Sequence, residues 1–347
     1  MFEDPLLLAR LQFALTASTH YIFVALTLGL APFILFGQLR ATLRGDEALM
    51  LGGRFWGGLY LVNYGMGVLS GLVMELQLAT NWSGLGDMFG YAFGAPLAVE
   101  TMAAFFIEST FLGLWIFGWD RMGRWSHLAC FAVVAATAYA SAYWVLVANG
   151  FLKNPVGFEI RGGVAVLTDP RALLANPAAL LAFGHIVAGA LLLGGLVVAA
   201  VSAYHLARGN DPGGMYRRGI TSGVTVAALA LLPVAAFGGT QYAMFGQEPP
   251  TSGRTLSGTE IAGIEESYNG AAAEAFGVAG HLLMLLCWTA MVGVAAVGLF
   301  LWLIRRLHRW RWFHWILVFC PFLPTPRAWA GGCSGRPGAS RGRSSTT

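Results

Sequence analysis

Seven apolar runs, at about 11–37, 54–79, 95–119, 125–149, 176–206, 219–240 and 276–304, leave this chain few folds to adopt. A bilayer core about 30 Å thick is crossed by roughly 20 mostly apolar residues in a helix, and every run exceeds that length. Lipid offers no partner for backbone N–H and C=O groups, so runs of this length cross as helices, which satisfy those groups internally. Charged residues are only 11% of the chain, where soluble domains carry about 25%. The expected fold is all-α, a polytopic transmembrane helix bundle with seven clear spans. An eighth run, about 312–326, is short and meets Pro321, Pro324 and Pro326. The bundle is expected over 1–326, followed by a Gly/Ser/Arg-rich tail at 327–347. Cys130, Cys287, Cys320 and Cys333 form no CxxC pair, so neither a zinc site nor a disulfide framework is indicated. The net charge of +4 is small and dispersed, which argues against a nucleic-acid partner.

Arginine placement gives the orientation. Arg40, Arg44 and Arg54 fall between the first two spans, and Arg121 and Arg124 between the third and fourth. Arg208, Arg217 and Arg218 follow the fifth; Arg305, Arg306, Arg309 and Arg311 follow the seventh. The alternation predicts that these clusters share the inner side and that the N-terminus lies outside. The acidic start, Glu3 and Asp4, is not the basic opening of a cleaved signal. A polar loop at about 241–275, carrying Glu248, Glu260, Glu265, Glu266 and Glu274, is then external.

Ionisable side chains inside a span cost about 2.5–3.5 kcal/mol each on insertion scales, so each needs a reason. Glu100 and Glu108 lie within the third span, Glu75 near the end of the second, His20 in the first, His185 in the fifth and His281 in the seventh. His127, His205, His308 and His314 sit near span ends, where a hydrogen-bonded structural role is the simpler reading. His20 and His185 have no neighbouring charge in their own helices, and each suits either a heme iron or a proton path. On a straight α-helix Glu100 and Glu108 would be about 12 Å apart along the axis and roughly 80° around it. Carboxyls so placed suit successive proton stations, a ligand, or a hydrogen-bonded packing role.

Several long motifs, in order, resemble subunit I of the cytochrome bd quinol oxidases. They are DPLLLARLQFALTASTH with Arg10, Gln12, Phe13 and His20, then NYGMGVLSGLVMELQLATNW, then GAPLAVETMAAFFIESTFLGLWIFGW with Glu100 and Glu108. SAYWVLVANGFLKNPVG follows, with Trp144, Asn149, Pro155 and Gly157 in register, and FGHIVAGA carries His185. The resemblance implies a low-spin heme b held by His185, a high-spin heme b and an oxygen-binding heme d, with His20 ligating one of the two high-spin groups. It also implies quinol oxidised at the outer face, oxygen reduced to water with protons from the inside, and membrane glutamates at Glu100 and Glu108. Oxidase subunit II, with or without small subunits, is the implied partner, in the plasma membrane of a prokaryote.

The pattern breaks in three places. The quinol-loop region reads GGTQYAMFGQEPPTSGRTLSGTEIAGIEE and has no lysine; Glu260, Glu265 and Glu266 read more simply as a solvated acidic loop than as quinol contacts. The family's methionine, the other low-spin ligand, falls two residues after a basic residue; here His281 is followed by Leu283 at that spot. Met284, one residue late, is taken as the ligand, although methionine in an apolar helix ordinarily packs. The tail PTPRAWAGGCSGRPGASRGRSSTT lacks the family's GRQPW motif and the glutamate before it. If Ser340 is encoded AGC, a frame beginning at the third base of the Pro337 codon allows Gly-Arg-Gln-Pro-Trp. A frame change and a divergent terminus both account for that ending. Two rival functions stay open: a heme b protein without oxygen reduction, and a heme-free ion-conducting membrane protein.

Overall fold

The computed structural model describes residues 5–81, 83–245 and 271–322. Its helices are α1 (Pro5–Arg44), α2 (Glu47–Asn81), α3 (Ser83–Val99), α4 (Phe106–Phe117) and α5 (Arg124–Lys153), then α6 (Pro170–Leu174), α7 (Pro177–Ala207), α8 (Met215–Phe245), α9 (Ala271–Leu303) and α10 (Arg311–Phe319). A π-helical segment, Glu100–Phe105, joins α3 to α4, and a hairpin of β1 (Phe158–Arg161) and β2 (Val164–Leu167) follows α5. Seven of the described helical segments are long and apolar enough to cross a membrane, as the sequence predicts. The fold is an all-α bundle.

Helix α7 is the central element. Two-thirds of its apolar window (67%) is buried, against 11% for α9 at the perimeter. Small residues let its backbone approach its neighbours closely, which is how helices associate where lipid removes the hydrophobic drive. Gly194 faces Gly29 of α1, and Gly195 faces Gly223 of α8; a Cβ at any of these positions would strike opposing backbone. The start of α7 is fixed locally. Asn176 caps it by accepting from the Ala178 N–H at 3.0 Å, and Pro177 occupies the first turn, where no amide is needed.

The four arginine-bearing connections meet at one end of the bundle. Arg124 pairs with Glu47 at 3.1 Å and Arg54 with Asp120 at 2.5 Å, tying the α1–α2 and α4–α5 turns together. Phe55 packs edge-on against His205 and Tyr216, and the Arg311 guanidinium donates to the Ala207 carbonyl at 2.7 Å. The hairpin lies at the other end, its β2 strand packed on α3.

Three local features depart from the sequence reading. The third span is not one α-helix, because the π segment interrupts it at Glu100. The 241–275 loop is narrower than read, since α8 continues to Phe245 and α9 begins at Ala271. The eighth run forms the nine-residue α10, about 13 Å long at 1.5 Å per residue and too short to span, followed by a 3₁₀ turn at Cys320–Phe322. Glu248, Glu260, Glu265, Glu266, positions 323–326 and the 327–347 tail lie outside the described residues.

Candidate functional site

Both histidine candidates are held by one ring nitrogen. His185 Nδ1 stands 3.0 Å from the Val234 carbonyl oxygen of α8. A carbonyl only accepts, so Nδ1 carries the proton and Nε2 the lone pair. His20 repeats the arrangement on α1, with Nδ1 3.1 Å from the Gly67 carbonyl and 3.2 Å from Ser70 Oγ on α2. This is the usual support of a metal-ligating imidazole, whose second nitrogen is fixed by a carbonyl so that the first is aimed and made more basic. A glycine faces each ring. A Cβ on Gly238 would come within 2.7 Å of His185 Cε1, and one on Gly71 within 3.0 Å of His20 Cε1. His20 and His185 therefore suit a role as ligands that would hold heme iron. Met284 is half-buried on α9, which packs on α8, the helix that holds the His185 ring. His281 lies on the same helix.

The glutamates sit on the interrupted span. Glu100 opens the π segment, and its Oε1 accepts from Ser141 Oγ of α5 at 2.6 Å. The Thr101 hydroxyl stands 3.2 Å from Glu100 Oε2 and 3.5 Å from Glu75 Oε1 of α2, so its single proton serves one carboxyl at a time. Glu75, Thr101, Glu100 and Ser141 thus form one polar chain across three elements. Glu108 lies two turns further on, 5% exposed, and its Oε1 has no protein partner among the described residues. The offset reckoned for a straight α-helix does not hold between the glutamates. A π turn bonds i to i+5, which widens the turn and rotates everything after it.

A second buried network lies nearer the arginine end. Trp115 Nε1 donates to Gln38 Oε1 at 3.0 Å, Gln38 Nε2 donates to His127 Nδ1 at 2.6 Å, and His127 Nε2 donates to the Trp115 carbonyl at 2.8 Å. The ring of bonds closes only with His127 neutral and protonated on Nε2. Its nitrogens are both engaged, so His127 is structural, and His205 stacks on Tyr216 with ring centroids 4.2 Å apart. His314 donates to the Leu307 carbonyl at 2.9 Å and His308 lies 3.5 Å from Thr221 Oγ1. Sequence inspection singled out neither Ser141, Thr101 nor Gln38. A serine or threonine in an apolar helix normally bonds its own preceding turn, so only the fold reveals which hydroxyl faces a carboxyl.

Residues 8–254 match the family described as cytochrome bd terminal oxidase subunit I. The chain belongs to this family. It is 41% identical over 203 residues to cytochrome bd ubiquinol oxidase subunit 1 of Bacillus subtilis (strain 168), a stretch covering 58% of this chain and 43% of that protein. It is 40% identical over 210 residues to cytochrome bd-II ubiquinol oxidase subunit 1 of Escherichia coli (strain K12), covering 60% of this chain and 41% of that one. The matched segments therefore span less than half the length of these relatives. The bd oxidase structure from Geobacillus thermodenitrificans superposes with a TM-score of 0.80 at 24% identity, over 94% of this chain and 85% of that chain, and it shares the fold. Family and spans together make this a multi-pass plasma-membrane protein.

Proposed function

We propose that this chain is the heme-binding subunit I of a bd-type terminal quinol oxidase. The observation that carries the reading is the matched support of His185 and His20, each with Nδ1 committed to a backbone carbonyl of the adjacent helix. His185 would hold the low-spin heme b, with Met284 of α9 as its second ligand, and His20 would hold one of the two high-spin groups, heme b or heme d. When bound, these hemes supply one-electron transfer from quinol and the reduction of oxygen to water. The chain's own residues aim the imidazoles, keep the interior dry and move protons.

Glu100 and Glu108 are the proton-carrying groups of that reaction. Glu108 is buried and Glu100 half-buried within the span, so a carboxyl that alternately accepts and releases a proton is the means of carrying one through the apolar interior. Ser141 and Thr101 orient the Glu100 oxygens. The N-terminus and the 241–275 region face outward, where quinol docks, and the arginine end faces the inside, from which protons are drawn. The 1–326 bundle forms one membrane unit with oxidase subunit II alongside it. Replacing His185 and His20 singly by alanine, and recording reduced-minus-oxidised spectra of purified complex, tests the reading. Loss of the low-spin bands in the first and of a high-spin signal in the second supports it. Unchanged spectra in both overturn it.

A further inference from the structure

At the arginine end, α1, α2, α7 and α8 leave a cleft of about 130 Å³ between them. It is lined by Phe33 and Gly37 of α1, Gly52 and Trp56 of α2, Val198 of α7 and Arg218 of α8, among others. Glycines leave it unfilled: a Cβ on Gly37 would meet no described atom within 4 Å. Phe33 lies about three helical turns in from Arg44, the last residue of α1, and Val198 about two and a half turns in from Ala207, the last of α7. The cleft therefore reaches from the arginine end toward the depth of the acyl chains.

Its walls are mostly apolar, and Arg218, exposed near the start of α8, is the one charged residue of the lining. Its neighbour Arg217 pairs with Asp211 at 3.0 Å, whereas Arg218 has no ion pair among the described residues. A cation at a helix N-terminus gains nothing from the helix dipole, but an anion bound there gains from both. Phe33, Gly37, Arg40 and Arg44 fall at i, i+4, i+7 and i+11, so one stripe of α1 lines the cleft and then carries two exposed arginines toward the membrane surface. Arg40 and Arg44 likewise have no ion pair among the described residues.

We propose that this cleft is a site for an anionic phospholipid, with an acyl chain in the slot and the phosphate on Arg218, in the field of Arg40 and Arg44. Water is a poorer occupant, because an ordered water needs two to four polar partners and the Ser222 hydroxyl of the lining already donates to the Gly219 carbonyl at 3.2 Å. An acyl chain needs none. A guanidinium meets a phosphate with two parallel hydrogen bonds, and basic pockets between spans draw anionic headgroups from a negatively charged leaflet. A chain in the slot touches all four helices at once, so the lipid ties together ends that their own packing leaves apart. The site is independent of the heme assignments.

The test uses the purified complex, delipidated in detergent, with its melting temperature followed as lipid is added. Dioleoyl phosphatidylglycerol is expected to raise the melting temperature saturably, as a ligand of the folded state does. Dioleoyl phosphatidylcholine, with the same chains and no net charge, is expected to bind about tenfold more weakly. Arg218→Gln is expected to lose most of that preference, and Arg309→Gln, at the same end but not in the lining, to keep it. Gly37→Leu places a side chain in the slot and is expected to abolish the saturable shift. Equal protection by the two lipids, or an unchanged preference in Arg218→Gln, overturns the proposal. Inorganic phosphate that protects as well as phosphatidylglycerol would make this a free-anion site and overturn it too. If Gly37→Leu does not insert, the headgroup and arginine comparisons decide.

Discussion

His185 of α7 donates its Nδ1 proton to the carbonyl of Val234 on α8 at 3.0 Å, one turn before Gly238, whose missing Cβ makes room for the same ring. One helix thus both orients the imidazole and clears the space beside it. A methyl group at Gly238 would come within 2.7 Å of His185 Cε1. Gly238→Ala is therefore expected to force the ring aside, at about 1–3 kcal/mol of overpacking, and to weaken or shift the low-spin heme band with the protein still inserted. Gly239→Ala is the control, because a Cβ there would meet no described atom within 4 Å. Equal spectra for the two variants would remove Gly238 from the site.

His185→Ala is expected to abolish the low-spin signal while most of the chain stays folded in the membrane. The ring is half-buried, and the Gly194 and Gly195 backbone contacts that hold α7 against α1 and α8 lie more than two turns further along the helix. Difference spectra of membranes, normalised to immunodetected protein, make the measurement. A persisting low-spin spectrum contradicts the assignment.

Glu100→Gln and Glu108→Gln keep the side-chain shape but cannot take up and release a proton near neutral pH. Each is expected to lower quinol-driven oxygen uptake by about 100-fold, the lower end of what a positioned proton carrier contributes, with insertion unchanged. Ser141→Ala removes the 2.6 Å bond to Glu100 and is expected to cost about tenfold, corresponding to roughly 1.4 kcal/mol. Normal turnover in all three variants would reduce these residues to packing.

The Trp115–Gln38–His127 ring is expected to contribute stability and not turnover. Gln38→Leu leaves Trp115 Nε1 and His127 Nδ1 without their partners in a site where Gln38 is wholly buried. The expected cost is about 1–3 kcal/mol for each orphaned group, read as a lower melting temperature in detergent with the heme spectrum intact below it. An unchanged melting temperature would show that the site readily rearranges.

The spans were legible because hydropathy over 20 residues outweighs every local preference in lipid. The arginine clusters were legible for a related reason: their alternation requires an even placement of connections, and Arg54–Asp120 and Arg124–Glu47 do bring two of them together. The π segment left no mark in the sequence. Moving a backbone bond from i+4 to i+5 changes neither composition nor hydropathy, and Glu100–Phe105 reads as ordinary apolar helix. The hairpin at 158–167 was missed although its signal is present: Gly162 and Gly163 adopt φ of +59° and +81°, the left-handed pair that a tight two-residue turn demands. His20, His185, Glu100 and Glu108 stood out because charge inside a span is costly. Their partners did not, since Gly67, Val234 and Ser141 are unremarkable until the helices are packed.

The central claim is that this bundle binds heme through His20 and His185. The visible absorption spectrum of the purified complex, read with the heme content per polypeptide, tests it most directly. The purified complex is expected to show b-type bands together with a far-red band from heme d, with the low-spin component lost in His185→Ala and a high-spin component lost in His20→Ala. A folded, membrane-inserted chain with no heme bands would contradict it and return Glu100 and Glu108 to an ion-conducting role.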